Sequence, residues 1–130
     1  LSSSSAASDV YKRQVVLRAK LALHGGDQEA IKARMEELSA KRRASQPLEM
    51  PSAGSTFKRP EGYFAGTLIE QCGLKSARVG GAEVSRKHAG FVVNAGGATC
   101  ADVLALIKKV QDTVFTATGV TLEPEVKIIR

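Results

Sequence analysis

Residues 78–119 read RVGGAEVSRKHAGFVVNAGGATCADVLALIKKVQDTVFTATG, and this run decides the fold. Three short β-like runs, around Arg78, over Ala82 to Ser85 and over Phe91 to Asn94, are separated by Gly80-Gly81 and by the polar stretch SRKHAG. Short apolar runs broken by glycine and polar turns are the pattern of small strands joined by tight connections. Thr99 followed by Asp102 has the spacing of a capping box. Val103, Leu106, Ile107, Val110 and Val114 then recur at helical spacing up to Gly119, which predicts a helix of about five turns.

Working upstream, Ala65, Leu68, Ile69 and Cys72 form a short apolar face before Gly73, a residue suited to a left-handed helix end, so a helix is expected over roughly 64–72. Residues 44–62 hold three of the four prolines and two glycines. Missing amides and fixed φ angles forbid a long helix or a central strand there, and a structured loop is expected. Residues 15–24 alternate, with Val15, Leu17, Ala19, Leu21 and Leu23 on one face and Arg18, Lys20 and His24 on the other, which predicts a half-buried strand. Gly25 and Gly26 break it and Asp27 can cap a helix. Ile31, Met35 and Leu38 give that helix an apolar stripe as it runs through a charged stretch to about Arg43. Downstream, VTLEPEVKIIR places Val126 and Ile128 in alternation after Pro124, the pattern of a last strand. Glu123 and Glu125 would share one side of it. The mixed order predicts an α+β domain, with helices packed on one face of a small, mainly antiparallel sheet.

The remaining segment, LSSSSAASDVYKRQ, is rich in Ser and Ala and has no apolar period. Residues 4–14, SSAASDVYKRQ, match the in-frame translation of a common sequencing adapter, so residues 1–14 are read as a cloning or assembly scar and set aside. Three regions result, 1–14 as this scar, 15–43 as a strand and helix, and 44–130 as the main domain, and the resemblance described below implies that 15–43 leads from a lost domain and that 44–130 is the C-terminal, substrate-binding one.

A chain of 130 residues, 43% hydrophobic and 25% charged, suits one compact core rather than disorder. No run approaches a membrane span or a secretion signal, so a cytoplasmic protein without a membrane partner is expected. Cys72 and Cys100 fit neither a CxxC pair nor a zinc spacing, and His24 and His88 are too few for a histidine-based site, so no metal is expected. The formal charge of +6 favours an anionic partner. Without Asp9, Lys12 and Arg13 the chain still carries 17 basic and 12 acidic residues, so this character belongs to the domain. A basic nucleic-acid-binding module is the alternative reading, weakened because aromatic residues are only 5% of the chain and none interleaves with a basic stripe.

The loop PSAGSTFKRP, residues 51–60, sets Gly54 and Ser55 ahead of Lys58 and Arg59. Glycine lets the main chain approach a ligand closely, and the two cations suit an anionic one. Gly54, Gly80 and Gly81 are read as backbone-shape residues. Lys87 and His88 either line a substrate mouth or form a polar hairpin turn.

Three strings, QPLEMPSAGSTFKRPEGYFAGTLIEQCGLK, RVGGAEVSRKHAGFVVN and GVTLEPEVKII, in this order and spacing, resemble the third domain of the UDP-N-acetylenolpyruvoylglucosamine reductase (MurB) family. The resemblance runs from about Val15 to Arg130, and the HAGFVVN and QPLExPS forms are similar to the shorter, second type of that family. It implies an oxidoreductase of peptidoglycan synthesis in which NADPH reduces FAD and the enolpyruvyl group of UDP-N-acetylglucosamine enolpyruvate is reduced to give UDP-N-acetylmuramate. It further implies that Ser55 is the proton donor and that Glu125 helps polarise the substrate carboxylate, while Glu123 is structural. Lys58 and Arg59 are the first choices for the diphosphate, and Arg43 and Gln46 the second. The family's catalytic arginine and its FAD-binding glycines have no counterpart in this chain. The resemblance therefore implies a monomeric enzyme of which this chain is a fragment, inactive alone and without tight FAD binding.

Overall fold

The computed structural model describes residues 17–128. The scar assigned to residues 1–14, the start of the expected first strand at Val15, and the chain's last two residues lie outside it. The chain divides into two units, residues 1–34 and 35–130, with the division inside the first helix.

In the first unit the expected strand is not formed. Residues 17–24 have no regular structure, and Leu17, Leu21 and Leu23 are 92%, 77% and 83% exposed. Alternation marks only which face of a strand is apolar. The strand itself needs a neighbour for its amides and carbonyls, and among the described residues this segment has none. Helix α1, Gln28–Ser45, starts where expected, with the Asp27 carboxylate accepting from the Ala30 amide at 2.7 Å. It buries no side chain, so the stripe of Ile31, Met35 and Leu38 lies open.

The second unit is built from β1 (Ser52–Ser55), α2 (Ala65–Gln71), β2 (Arg78–Val79), β3 (Ala82–Val84), β4 (Phe91–Asn94) and α3 (Cys100–Thr118). The strands form one antiparallel sheet in the order β1-β4-β3-β2. The register pairs Ala82 with Asn94, Glu83 with Val93 and Val84 with Val92, so Ala82, Val84 and Val92 share a face. These three, and not Phe91 or Val93, join the core with Leu68 and Ile69 of α2 and Leu106, Ile107, Val110 and Val114 of α3. The helices therefore sit on one face of the sheet, as expected for an α+β domain.

Helix α3 begins with the predicted capping box. Thr99 Oγ1 accepts from the Asp102 amide at 3.1 Å, and the Asp102 carboxylate accepts from the Thr99 amide at 2.9 Å. Gly119 closes the helix with φ 72°. Glu83, on the sheet's other face and 4% exposed, is held by Arg78, its directly opposite neighbour on β2, and by Arg86 at 3.2 Å. Gly81 packs so closely on the backbone of Gly96 and Ala98 that a Cβ there has no room, which makes it a shape residue.

Two expectations need correction. The loop over residues 44–62 contains β1, a four-residue strand at the sheet's edge that starts directly after Pro51, where a missing amide costs no ladder bond. The last segment is not a strand. Pro124 makes a single antiparallel bridge with Phe57, flanked by bonds from the Glu125 amide to Thr56 O at 2.9 Å and from the Lys58 amide to Glu123 O at 2.8 Å. Pro124 has no amide to extend a ladder, and Ile128 is 56% exposed. What fixes the segment is Leu122, wholly buried in the core, with its carbonyl accepting from Gln111 Nε2 at 2.8 Å.

Candidate functional site

The site begins with an irregularity in β1. Ser52 lies opposite Val93 and Ser55 opposite Phe91, so three steps along β1 match two along β4. The extra residue makes a bulge, and Gly54, at φ 86°, takes the left-handed conformation that it requires. The bulge re-aims Ser55 as β1 ends. The next three residues turn to the chain's last segment, and the bridge at Phe57 and Pro124 brings Glu125 beside them.

As a result Ser55 and Glu125 open onto the same cleft, of about 420 Å³. Its walls come from the loop after β1 (Phe57, Arg59), the start of α2 (Phe64, Ala65, Gly66, Thr67, Glu70) and the β3–β4 connection (Lys87, His88, Ala89, Gly90). Ser55 Oγ donates to Phe57 O at 3.3 Å and is exposed. The Glu125 carboxylate is also exposed and makes no ion pair among the described residues. The Arg59 guanidinium lies 4.0 Å above the centre of the Phe64 ring, a stacking that holds this cation at the cleft edge. Lys87 Nζ lies 3.3 Å from the Glu49 carboxylate. The Glu49 carboxyl is held below its ordinary range, first by its own backbone amide and then by Lys87.

Of the residues singled out in the sequence, Ser55, Glu125 and Arg59 meet in this cleft, joined by Lys87 and His88. Lys58 does not line it, and its ammonium pairs with Glu123. Gln46 lines a separate depression with Arg42, Pro47, Met50 and Phe91, which Ser55 also reaches. Arg43 donates to Ser39 Oγ at 2.8 Å along its own helix. Sequence reasoning missed Phe64, Thr67 and Glu70. Its search followed cations, whereas the signal was proximity, because α2 starts only ten residues after Ser55.

Eight of the cations are engaged in ion pairs or in stacking at the cleft. Lys41 pairs with Glu37, Lys58 with Glu123, Lys75 with Glu70, Arg78 and Arg86 with Glu83, Lys87 with Glu49, and Lys108 with Asp112. Nothing in this arrangement favours the nucleic-acid-binding alternative. No helix among the described residues is long and apolar enough to cross a membrane, and no cluster of His, Cys, Asp or Glu among them could hold a metal ion.

Fold and site together define an α+β domain with a cleft framed by a bulged edge strand and the segment around Glu125. Comparison with known proteins gives this class a family. Residues 46–129 match the model of the UDP-N-acetylenolpyruvoylglucosamine reductase C-terminal domain. The chain is 60% identical over 118 residues to the UDP-N-acetylenolpyruvoylglucosamine reductase of Agathobacter rectalis, covering 91% of this chain and 38% of that protein. With the reductase of Exiguobacterium sibiricum the identity is 56% over 118 residues, covering 91% and 39%. The crystal structure of UDP-N-acetylenolpyruvylglucosamine reductase (MurB) from Thermus caldophilus superposes with a TM-score of 0.68 at 39% identity, covering 83% of this chain and 38% of that one. The chain belongs to the UDP-N-acetylenolpyruvoylglucosamine reductase family and contains its C-terminal domain. It spans about two fifths of the length of the curated relatives it matches.

Proposed function

We propose that this chain is the substrate-binding part of an oxidoreductase of peptidoglycan synthesis. The reaction is reduction of UDP-N-acetylenolpyruvoylglucosamine to UDP-N-acetylmuramate. The observation that carries the reading is the opening of Ser55 and Glu125 onto one cleft beside Arg59 and Lys87. Reducing the enolpyruvyl double bond adds a hydride to the β-carbon and a proton to the α-carbon. Ser55 supplies the proton from its hydroxyl. A serine is a weak acid, but an enolate carbon is a strong base, so the transfer is feasible. Being exposed, Ser55 recovers its proton from solvent. Glu125 helps to polarise the substrate carboxylate, and Arg59 draws in the anionic substrate and binds phosphate oxygens. The cytoplasm is the compartment that fits this substrate.

FAD, reduced by NADPH, is the expected hydride source, but the described residues do not fit it. The layout of a dinucleotide site, a strand leading through glycines into a helix, occurs once, from β4 through Gly96 and Gly97 into α3. At that helix start the Asp102 carboxylate takes the Thr99 amide. A second anion, the cofactor's diphosphate, would face this carboxylate and find amides already engaged. FAD binding is therefore assigned to the portion of such reductases that this chain does not span, and the chain alone is expected to be inactive.

The test joins this chain to the remaining portion of the Exiguobacterium sibiricum reductase. The chimera should oxidise NADPH only when the enolpyruvyl sugar is present. Oxidation that ignores the sugar, in a folded chimera, would remove this reading.

A further inference from the structure

Ser55 and Glu125 enter the cleft from distant parts of the chain, and both side chains are exposed. Their separation is therefore set by the backbone beneath them, and that backbone passes through Thr56. This residue is buried and holds three other groups. Its amide donates to Gly90 O at 2.8 Å, its carbonyl accepts from the Glu125 amide at 2.9 Å, and its Oγ1 accepts from the Val92 amide at 3.0 Å. The path from Ser55 to Glu125 is thus one residue and one hydrogen bond long.

The side-chain bond is the one that ordinary strand pairing would not supply. Val92 lies between Phe91 and Val93, the register partners of Ser55 and Ser52, so it stands opposite the bulge in β1. A bulge disrupts the ladder locally, and a buried amide there needs an acceptor. The Thr56 hydroxyl, one residue beyond the end of β1, is that acceptor. β-Branching leaves threonine few χ1 choices, and the bond from Val92 selects among them. A buried side chain fixed in this way locks the peptide groups on both sides of Thr56. One of those groups carries Ser55, and the other holds the Glu125 amide.

We infer that Thr56 is a positioning residue of this site, its hydroxyl, held by the Val92 amide, fixing the peptide groups that set Ser55 and Glu125 to their common cleft. The inference rests on the proposed function. Thr56 does not line the cleft, so it acts on the placement of the proton donor and not on capture of the UDP-sugar. Arg59 is held separately, by its stacking on Phe64. Loss of the hydroxyl should therefore lower kcat and leave KM in place.

The experiment compares Thr56→Val with Thr56→Ser. Valine keeps the branched shape and loses the acceptor, whereas serine keeps the acceptor and loses a methyl group. In the chimeric reductase Thr56→Val should lower kcat roughly 10- to 100-fold, as expected for a reacting group displaced by up to about 1 Å, with KM for the enolpyruvyl sugar within about threefold of the parent. Thr56→Ser should keep kcat within about threefold of the parent. A residue that mattered only for packing would give the reverse order, and that order would overturn the inference, as would a parent kcat in the valine variant. Hydrogen exchange in the unaltered full chain tests the same link without any substitution. The Thr56, Val92 and Glu125 amides should open together, with protection within about tenfold of one another. A Glu125 amide exchanging more than about tenfold faster than that of Val92 would overturn the inference too. Each of these contrary results leaves the proposed function standing. A folded parent chimera that oxidises NADPH without regard to the sugar would remove that function and the inference with it.

Discussion

Gly54→Ala isolates the backbone feature on which the cleft depends. No atom lies within 4 Å of the added Cβ, so packing cannot account for any effect. What remains is the conformation, φ 86°, which an L-residue with a side chain adopts at a cost of about 1–2 kcal/mol. The domain is in the size range where each kcal/mol moves the thermal midpoint by roughly 4–8 °C, so a loss of about 4–16 °C is expected. The chain can instead relieve the strain by flattening the bulge. The three-against-two register between Ser52 and Ser55 would then be lost and Ser55 would turn away from the cleft. Urea denaturation with amide spectra of Ser55, Phe91 and Glu125 separates these outcomes, since strain shifts the midpoint and flattening shifts the spectra. Gly54→Asn should recover part of the loss, because asparagine tolerates the left-handed region. An alanine variant of unchanged midpoint and unchanged spectra would refute the claim that glycine is required here.

Other consequences follow from the core and the helix start. Leu106→Ala, at a wholly buried site, should cost about 2–5 kcal/mol in urea denaturation, whereas Ile31→Ala, at a position half exposed, should stay within about 0.5 kcal/mol. The Asp102 carboxyl is held below its ordinary range by the Thr99 amide, the Thr99 hydroxyl and then the Gly81 amide. A carboxylate lowered in the folded state stabilises above its unfolded pKa, near 4, and loses that contribution as pH falls through the lower folded value. Asp102→Asn should therefore flatten the acid limb of stability below about pH 4, and an unchanged limb would count against this cap.

The sequence was most readable where one local rule acted alone. Thr99 and Asp102 bracket the start of α3 and Gly119 its end, and each is a backbone device complete within a few residues. The strands at 78–79, 82–84 and 91–94 were bounded by glycines and polar turns in the same way. Where a segment depends on a distant neighbour, reading failed. Residues 17–23 have the alternation of a strand without a partner among the described residues, and Val126 and Ile128 have it beside a proline that ends the ladder. β1 was hidden for the opposite reason, since SAGS has no apolar pattern and pairs only because β4 presents an edge. Ser55, Arg59 and Glu125 were legible as a set through resemblance, but periodicity gave no hint that the first and last stand together. That juxtaposition comes from Leu122, whose burial pulls the chain end against the loop after β1. Ile31, Met35 and Leu38 of α1 have helical spacing but bury nothing.

The role of the Ser55 hydroxyl is read most plainly in the turnover of the chimeric reductase carrying Ser55→Ala. If this group protonates the reduced enolpyruvyl carbon, turnover should fall by roughly 10²- to 10⁴-fold while affinity for the UDP-sugar is retained. An alanine enzyme that turns over at the parent rate would contradict it.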